Sequence, residues 1–324
     1  MKKIICLLLA LSLVFTGGCV GVGNDVEKTE KITIATSFYP VYIFTLNIVD
    51  GIDAFEVKCM AEQNIGCLHD YTLTSKDVRL LNDAAVLVIN GAGMESFVED
   101  AYKNVEDLSV IDSSTGIELL CGENEHGDNG NSHNADNENS HNHSHNHSHN
   151  HSHNHTDNSH IWLSVENAKK QVENIKNGLS EQFPEYRYLF FKNYEAYIKR
   201  LEALEETQKE YSSAITDKKV ITFHKAYDYL AMDLGFQVVA CVESDEGGEP
   251  SAKKLAELTK HIKEVEICAL FIEPQYTGSA AEILKNETGI NIYVINPVTS
   301  GEASLTAYED IMKENYELIL KAVK

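Results

Sequence analysis

Pro184-Glu-Tyr-Arg-Tyr-Leu-Phe-Phe-Lys-Asn-Tyr-Glu-Ala-Tyr-Ile-Lys-Arg-Leu-Glu-Ala-Leu-Glu-Glu-Thr-Gln-Lys-Glu-Tyr-Ser-Ser213 is a run of thirty residues with no internal helix breaker. As one helix it would extend roughly 45 Å, at about 1.5 Å per residue. Pro184 suits a first helical turn, and Tyr194, Ile198, Leu201, Leu204 and Tyr211 fall near one face. Short apolar runs alternate with helical patterns on both sides of it. Before it, strands are expected at 31–37, 55–60, 85–90 and 108–111, with a helix after Pro40 and another opened by a capping box at Thr74-Ser-Lys-Asp77. After it, strands at 219–223, 236–241, 267–272 and 291–295 are interleaved with helices at 226–234, 251–263, near Ala280, and 306–323. Strands alternating with helices argue for parallel sheets. The expected fold is therefore α/β: a lobe over 31–183, a rigid connecting helix over 184–213, and a second lobe over 214–324.

The amino end is of a different kind. Met1-Lys2-Lys3, an apolar run from Ile4 to Phe15, and Thr16-Gly17-Gly18-Cys19 follow the basic, apolar, small-residue order of a secretory signal. The run is too short for the roughly twenty residues of a membrane-spanning helix. With Cys19 directly after two glycines, residues 1–18 resemble a bacterial lipoprotein signal. That resemblance implies an acylated Cys19 as the new amino terminus, with 19–30 as a tether. The mature chain is expected outside the cytoplasm, held to the cell membrane by lipid.

Charge narrows the function. The 324 residues carry 27 Lys+Arg against 50 Asp+Glu, a formal net charge of −23. Such a chain repels phosphate backbones, which excludes nucleic acid as a partner, and it favours cations. Ten of the fourteen histidines lie between His126 and His155. They fall in a segment, 120–158, made of Asn, Ser, His, Gly and acids, which has too little apolar surface to fold and is expected to be a disordered loop. Within it His141, His143, His145, His147, His149, His151, His153 and His155 alternate with Asn or Ser. So many weak imidazole donors on an acidic chain would capture metal in shifting combinations.

Four histidines lie outside the tract. His261 sits among charged residues of a helix and reads as a surface side chain. His224 ends the run Val220-Ile-Thr-Phe-His, at the carboxyl edge of a strand, where open α/β sheets bind ligands. His69 follows the 55–60 strand by a short loop. His160 precedes Ile161-Trp-Leu-Ser164, where ordered chain resumes and Ser164 can cap a helix. Three loop-edge histidines in an acidic exported chain point to a shared metal.

Gly66-Cys-Leu-His69-Asp-Tyr-Thr-Leu-Thr-Ser-Lys-Asp77, His160-Ile-Trp-Leu-Ser164, Thr222-Phe-His224-Lys-Ala-Tyr227 and Ile272-Glu-Pro-Gln275 occur in that order. Together they resemble the zinc/manganese solute-binding lipoproteins of ATP-binding-cassette uptake systems, over nearly all of the chain from Lys31 onward. The resemblance implies two lobes bridged by one long helix, a metal in the cleft between them, and His69, His160 and His224 as ligands. It also implies a permease partner, and the chain is expected to act as a monomer. Two departures stand out. Leu68 replaces a proline common before the first histidine. Asn296-Pro297 stands where the family usually has Asp-Pro, so the fourth position is expected to hold Asn296, weakly or through water, with Glu273 as an alternative ligand or outer partner. Imidazole suits Zn2+, whereas Mn2+ favours oxygen donors; Ni2+ would also bind such a set.

Two other functions use the same residues. Three histidines and a water also hold hydrolytic zinc, but there is no HExxH helix and the ligands come from different halves. A surface metal buffer or adhesin would need no transporter. Of the cysteines that remain after Cys6 and Cys19, Cys59 and Cys67 are close enough in sequence for a disulfide, Cys241 and Cys268 read as buried thiols, and Cys121 is left over.

Overall fold

The computed structural model describes residues 31–61, 71–96, 98–120, 158–243 and 248–324. Cys19 and the whole of 1–30, His69, Cys67, Cys121 and the tract from His141 to His155 lie outside the described residues.

The first lobe is built from β1 (Ile32–Thr36), α1 (Tyr39–Val49), β2 (Phe55–Cys59), α2 (Ser75–Asp83), β3 (Val86–Ile89), the short α3 (Glu99–Tyr102) and β4 (Ser109–Asp112). Then follow α4 (Val165–Gln182) and the long α5 (Arg187–Ile215). The second lobe contains β5 (Lys219–Thr222), α6 (Asp228–Leu234), β6 (Gln237–Cys241), α7 (Ala252–Glu264), β7 (Ala269–Ile272), α8 (Ala280–Thr288), β8 (Ile292–Val294) and α9 (Ala307–Val323).

Each lobe has one four-stranded parallel sheet, and the strand orders match: β2-β1-β3-β4 and β6-β5-β7-β8. In both, the first strand connects outward to one neighbour and the third strand lies on its other side. That reversal opens a crevice beyond the carboxyl ends of β1/β3 and of β5/β7, where α/β sheets take their ligands. The central strands carry the near-continuous apolar sequences of sheets covered on both faces, and β3 (Val-Leu-Val-Ile) is buried throughout.

Local chemistry sets the helix ends. The Thr74 side chain accepts from Asp77 N while Asp77 accepts from Thr74 N at 2.8 Å, so the expected capping box is formed. Ser164 caps α4, and Gly235 ends α6 at φ 79° in the left-handed region that favours glycine.

Pro184 begins a single 3-10 turn, Pro184–Tyr186, and α5 starts three residues later than the sequence suggests. Its 29 residues give roughly 44 Å. Leu201 and Leu204 are fully buried as expected, but Phe190 and Tyr197 are buried too, while Tyr194, Ile198 and Tyr211 pack only at the edge of the core. The helix touches both lobes. Asn193 donates to Ile48 O and Asp50 O at the end of α1. Arg200 reaches Asn47 of α1 on one side, and Leu305 O and Glu309 of α9 on the other. Tyr39 Oη to Glu302 O at 2.9 Å and Trp162 Nε1 to Pro297 O at 2.7 Å brace the lobes further. No helix among the described residues is long and apolar enough to cross a membrane.

Candidate metal centre

His160 lies on the segment that leads into α4. Trp162, two residues on, is completely buried, and Tyr308 Oη donates to its carbonyl at 2.8 Å. That anchorage pins His160 between the lobes at 4% exposure. Asn158 orients its ring: Oδ1 of Asn158 accepts from His160 N and faces His160 Nδ1, both at 2.9 Å. The amide cannot be reversed, because its Nδ2 donates to the Asp228 carboxylate at 2.8 Å and a backbone N–H needs an acceptor. Nδ1 of His160 is therefore the protonated nitrogen, and Nε2 carries the lone pair.

His224 follows β5 by two residues, at the crevice of the second sheet. Its Nδ1 contacts the Glu243 carboxylate, an acceptor when ionised, which assigns the proton to Nδ1 and the lone pair to Nε2. The two Nε2 atoms lie 3.3 Å apart, with the rings nearly perpendicular at 74°. Two neutral imidazoles facing in this way would repel, and a cation between them, whether a shared proton or a metal ion, relieves that repulsion. Zinc held at its usual N distances with tetrahedral angles separates two such nitrogens by about 3.3 Å. The structure thus brings together His160 and His224, 64 residues apart in sequence, with their second nitrogens already engaged.

Among the described residues no group of three or more His, Cys, Asp or Glu converges to hold an ion. Glu273, just beyond β7, is 5% exposed, and its Oε1 is buried with no hydrogen-bond partner among the described residues. Burial pushes its carboxyl up to about 7. Asn296 uses its amide in its own turn: Nδ2 donates to Ser300 O at 2.8 Å, and Oδ1 accepts from Thr299 N at 3.3 Å. Asn315 pairs with its backbone N and O.

The first sheet has a buried carboxylate as well. Both oxygens of Glu95, beyond β3, are used: Oε1 accepts from Ser37 Oγ at 2.8 Å and Asn90 N at 2.7 Å, and Oε2 from Gly91 N at 3.0 Å. Burial still raises it to about 7. A side chain at Gly91 would run into Asp112, so the close turn that presents its N–H requires glycine.

The ends of the histidine tract meet. Asn158 N donates to Leu120 O at 2.9 Å, and Tyr229 Oη accepts from Leu120 N while donating to Asn158 O. Leu120 and Asn158, which the sequence assigns to the loop, belong to the ordered body, and the excursion starts and returns two residues from His160. Four further side chains differ from expectation. Cys241 and Cys268 are half-buried free thiols rather than buried ones. Cys59 is a free thiol whose Sγ donates to Ala61 O. His261 is half-buried, with Nε2 shielded from solvent.

Sequence reasoning missed Asn158 and Glu243. The first had a signal, because Asn two residues before a ligand-type histidine can form an Asx turn. The second needed the strand register. Thr222 pairs with Cys241, so His224 and Glu243, each two residues further along parallel neighbours, emerge side by side.

Comparison with known proteins agrees with this architecture. The family described as ZnuA: Zinc-uptake complex component A periplasmic matches residues 34–322. The zinc-binding lipoprotein AdcA of Streptococcus pneumoniae is 33% identical over 336 residues, spanning 100% of this chain and 61% of its own length. The high-affinity zinc uptake system protein ZnuA of Bacillus subtilis is 31% identical over 303 residues, 92% of this chain and 89% of the relative. The crystal structure of Zn(II)-bound AdcA from Streptococcus pneumoniae has a TM-score of 0.70 at 28% identity, over 91% of this chain and 58% of that one. This chain therefore spans less than two thirds of the length of the first curated relatives it matches.

Proposed function

We propose that this chain, which belongs to the ZnuA family of periplasmic zinc-uptake components, captures one Zn2+ ion outside the cytoplasmic membrane and delivers it to an ATP-binding-cassette permease. The observation that carries the reading is the pair of imidazole lone pairs, His160 Nε2 and His224 Nε2, facing each other at 3.3 Å with each Nδ1 already bonded. His69 supplies the third nitrogen in this reading, and water the fourth position. Asn296, with its amide engaged in a turn, serves the loop, and Glu273 lies outside the donor set. All-imidazole donors favour Zn2+ over Mn2+.

The protein is read as a carrier, not a hydrolase. The donors belong to segments on both sides of the interlobe contact, and His160 is buried, so the ion and its water would be shut away from the substrate that a hydrolase must admit. The rest of the proposal follows the chain. Residues 1–18 act as a signal, and Cys19 carries lipid at the end of the 19–30 tether. The histidine tract gathers metal beside the cleft, and the body works as a monomer. Calorimetric titration with zinc tests the core of it. One tight site per chain is expected, and it should survive deletion of residues 123–157. Loss of the tight site on that deletion would move the primary ligands into the tract and overturn the assignment.

A further inference from the structure

We infer that Glu243 is a positioning residue of the zinc site, holding the His224 ring with Nε2 toward the ion and supplying, one hydrogen bond away, the negative charge that the donor set lacks. The inference rests on the reading that His224 is a ligand. With three imidazoles and a water, every donor is neutral around a doubly charged cation. A carboxylate on the far nitrogen of a ligating histidine fixes its tautomer and raises its basicity.

The fold builds this contact deliberately. Glu243 N donates to Phe223 O at 2.9 Å, which locks its backbone beside the residue that precedes His224. Oε2 meets His224 Nδ1, and Oε1 accepts from Gly248 N at 3.2 Å, so both oxygens are directed. The side chains of His224 and Glu243 are 20% and 17% exposed, partly shielded from the solvent that would screen an open ion pair. The partner of His160 differs: Asn158 orients that ring with a neutral carbonyl. The two ligands thus share one geometry, with a carboxylate directly on His224 Nδ1 and a neutral amide, itself bonded to Asp228, on His160 Nδ1.

Three variants separate charge from orientation. Glu243→Gln can keep the hydrogen bond through its carbonyl while losing the charge. Glu243→Ala loses both, and Glu243→Asp keeps the charge on a shorter arm. Competition with a chromogenic zinc chelator at pH 7 should show binding weakened about 10- to 100-fold in Glu243→Ala. Glu243→Gln should fall between it and wild type, and Glu243→Asp should recover part of the loss. Nitrogen-15 NMR of the His224 ring in the zinc-free chain gives a readout that a merely structural role would not move. The proton should sit on Nδ1 in wild type and shift toward Nε2 in Glu243→Ala. Wild-type zinc affinity in both Glu243→Ala and Glu243→Gln, alongside lost affinity in His224→Ala, would overturn this inference and leave the zinc site standing. Unchanged affinity in His224→Ala would instead remove the site itself.

Discussion

Glu95 and Glu273 both lie beyond the third strand of a sheet, in two sheets of the same strand order, Glu95 in the turn that follows β3 and Glu273 directly after β7. Both are buried, and burial raises both carboxyls to about 7. Their surroundings part company there. Glu95 receives three hydrogen bonds and fastens the backbone of Asn90 and Gly91, so the first crevice is walled by a satisfied acid. Glu273 keeps a buried oxygen with no hydrogen-bond partner among the described residues. One sheet edge has used its carboxylate to build structure. The other leaves one buried carboxyl oxygen without a hydrogen bond among the described residues.

The sharpest way to break this comparison is to remove chemistry from one edge at a time. His224→Ala should weaken zinc binding by about a thousandfold, roughly 4 kcal/mol, since one of three protein donors is lost. Glu95→Gln should leave zinc affinity within tenfold of wild type. Chelator competition on both variants checks the contrast.

A pH series addresses the two acids next. A carboxyl raised from 4.5 to about 7 contributes stability that is fully present below pH 4.5 and is lost as the pH climbs through 7. For each buried group that loss is about 3 kcal/mol. Glu273→Gln is neutral throughout, so in the zinc-free protein it should gain on wild type between pH 5 and pH 8, by up to about 3 kcal/mol. Urea denaturation at the two pH values measures it, and parallel curves would contradict the burial argument. Glu95→Gln should gain over the same pH range but from a lower start. Its amide would aim N–H at backbone donors and destabilise the fold by about 2 kcal/mol at pH 5. The smallest effect belongs to the tract. Because Leu120 and Asn158 are hydrogen-bonded to each other, joining them by a short linker in place of residues 123–157 should change unfolding free energy by less than about 0.5 kcal/mol.

Much of the scaffold was legible in the sequence for local reasons. Thr74 and Asp77 carry their capping box in four residues, and the strands announce themselves as short apolar runs bounded by turns. The two-lobe division followed from α5, whose lack of breakers is also local, although its buried face was misjudged at Tyr197 because packing against both α1 and α9 widens the covered stripe. His224 could be singled out by its strand-edge position, and His160 by its place where ordered chain resumes at Ile161. Their partners could not. Glu243 reaches His224 through the pairing of β5 with β6, and Glu95 is defined by the turn it closes, so both are products of tertiary register with no periodic signature. Asn158 was hidden in the composition of the tract, where a single ordered residue looks like its neighbours.

The central claim is that His160 and His224 are two corners of one zinc site. Anomalous scattering at the zinc edge, from crystals of the zinc-loaded chain lacking residues 123–157, tests it most directly. The account predicts one strong peak about 2.0–2.1 Å from Nε2 of both His160 and His224, with His69 as the third nitrogen and Glu243 still on Nδ1 of His224. A principal peak bound away from that pair, or one coordinated through Nδ1, would contradict it.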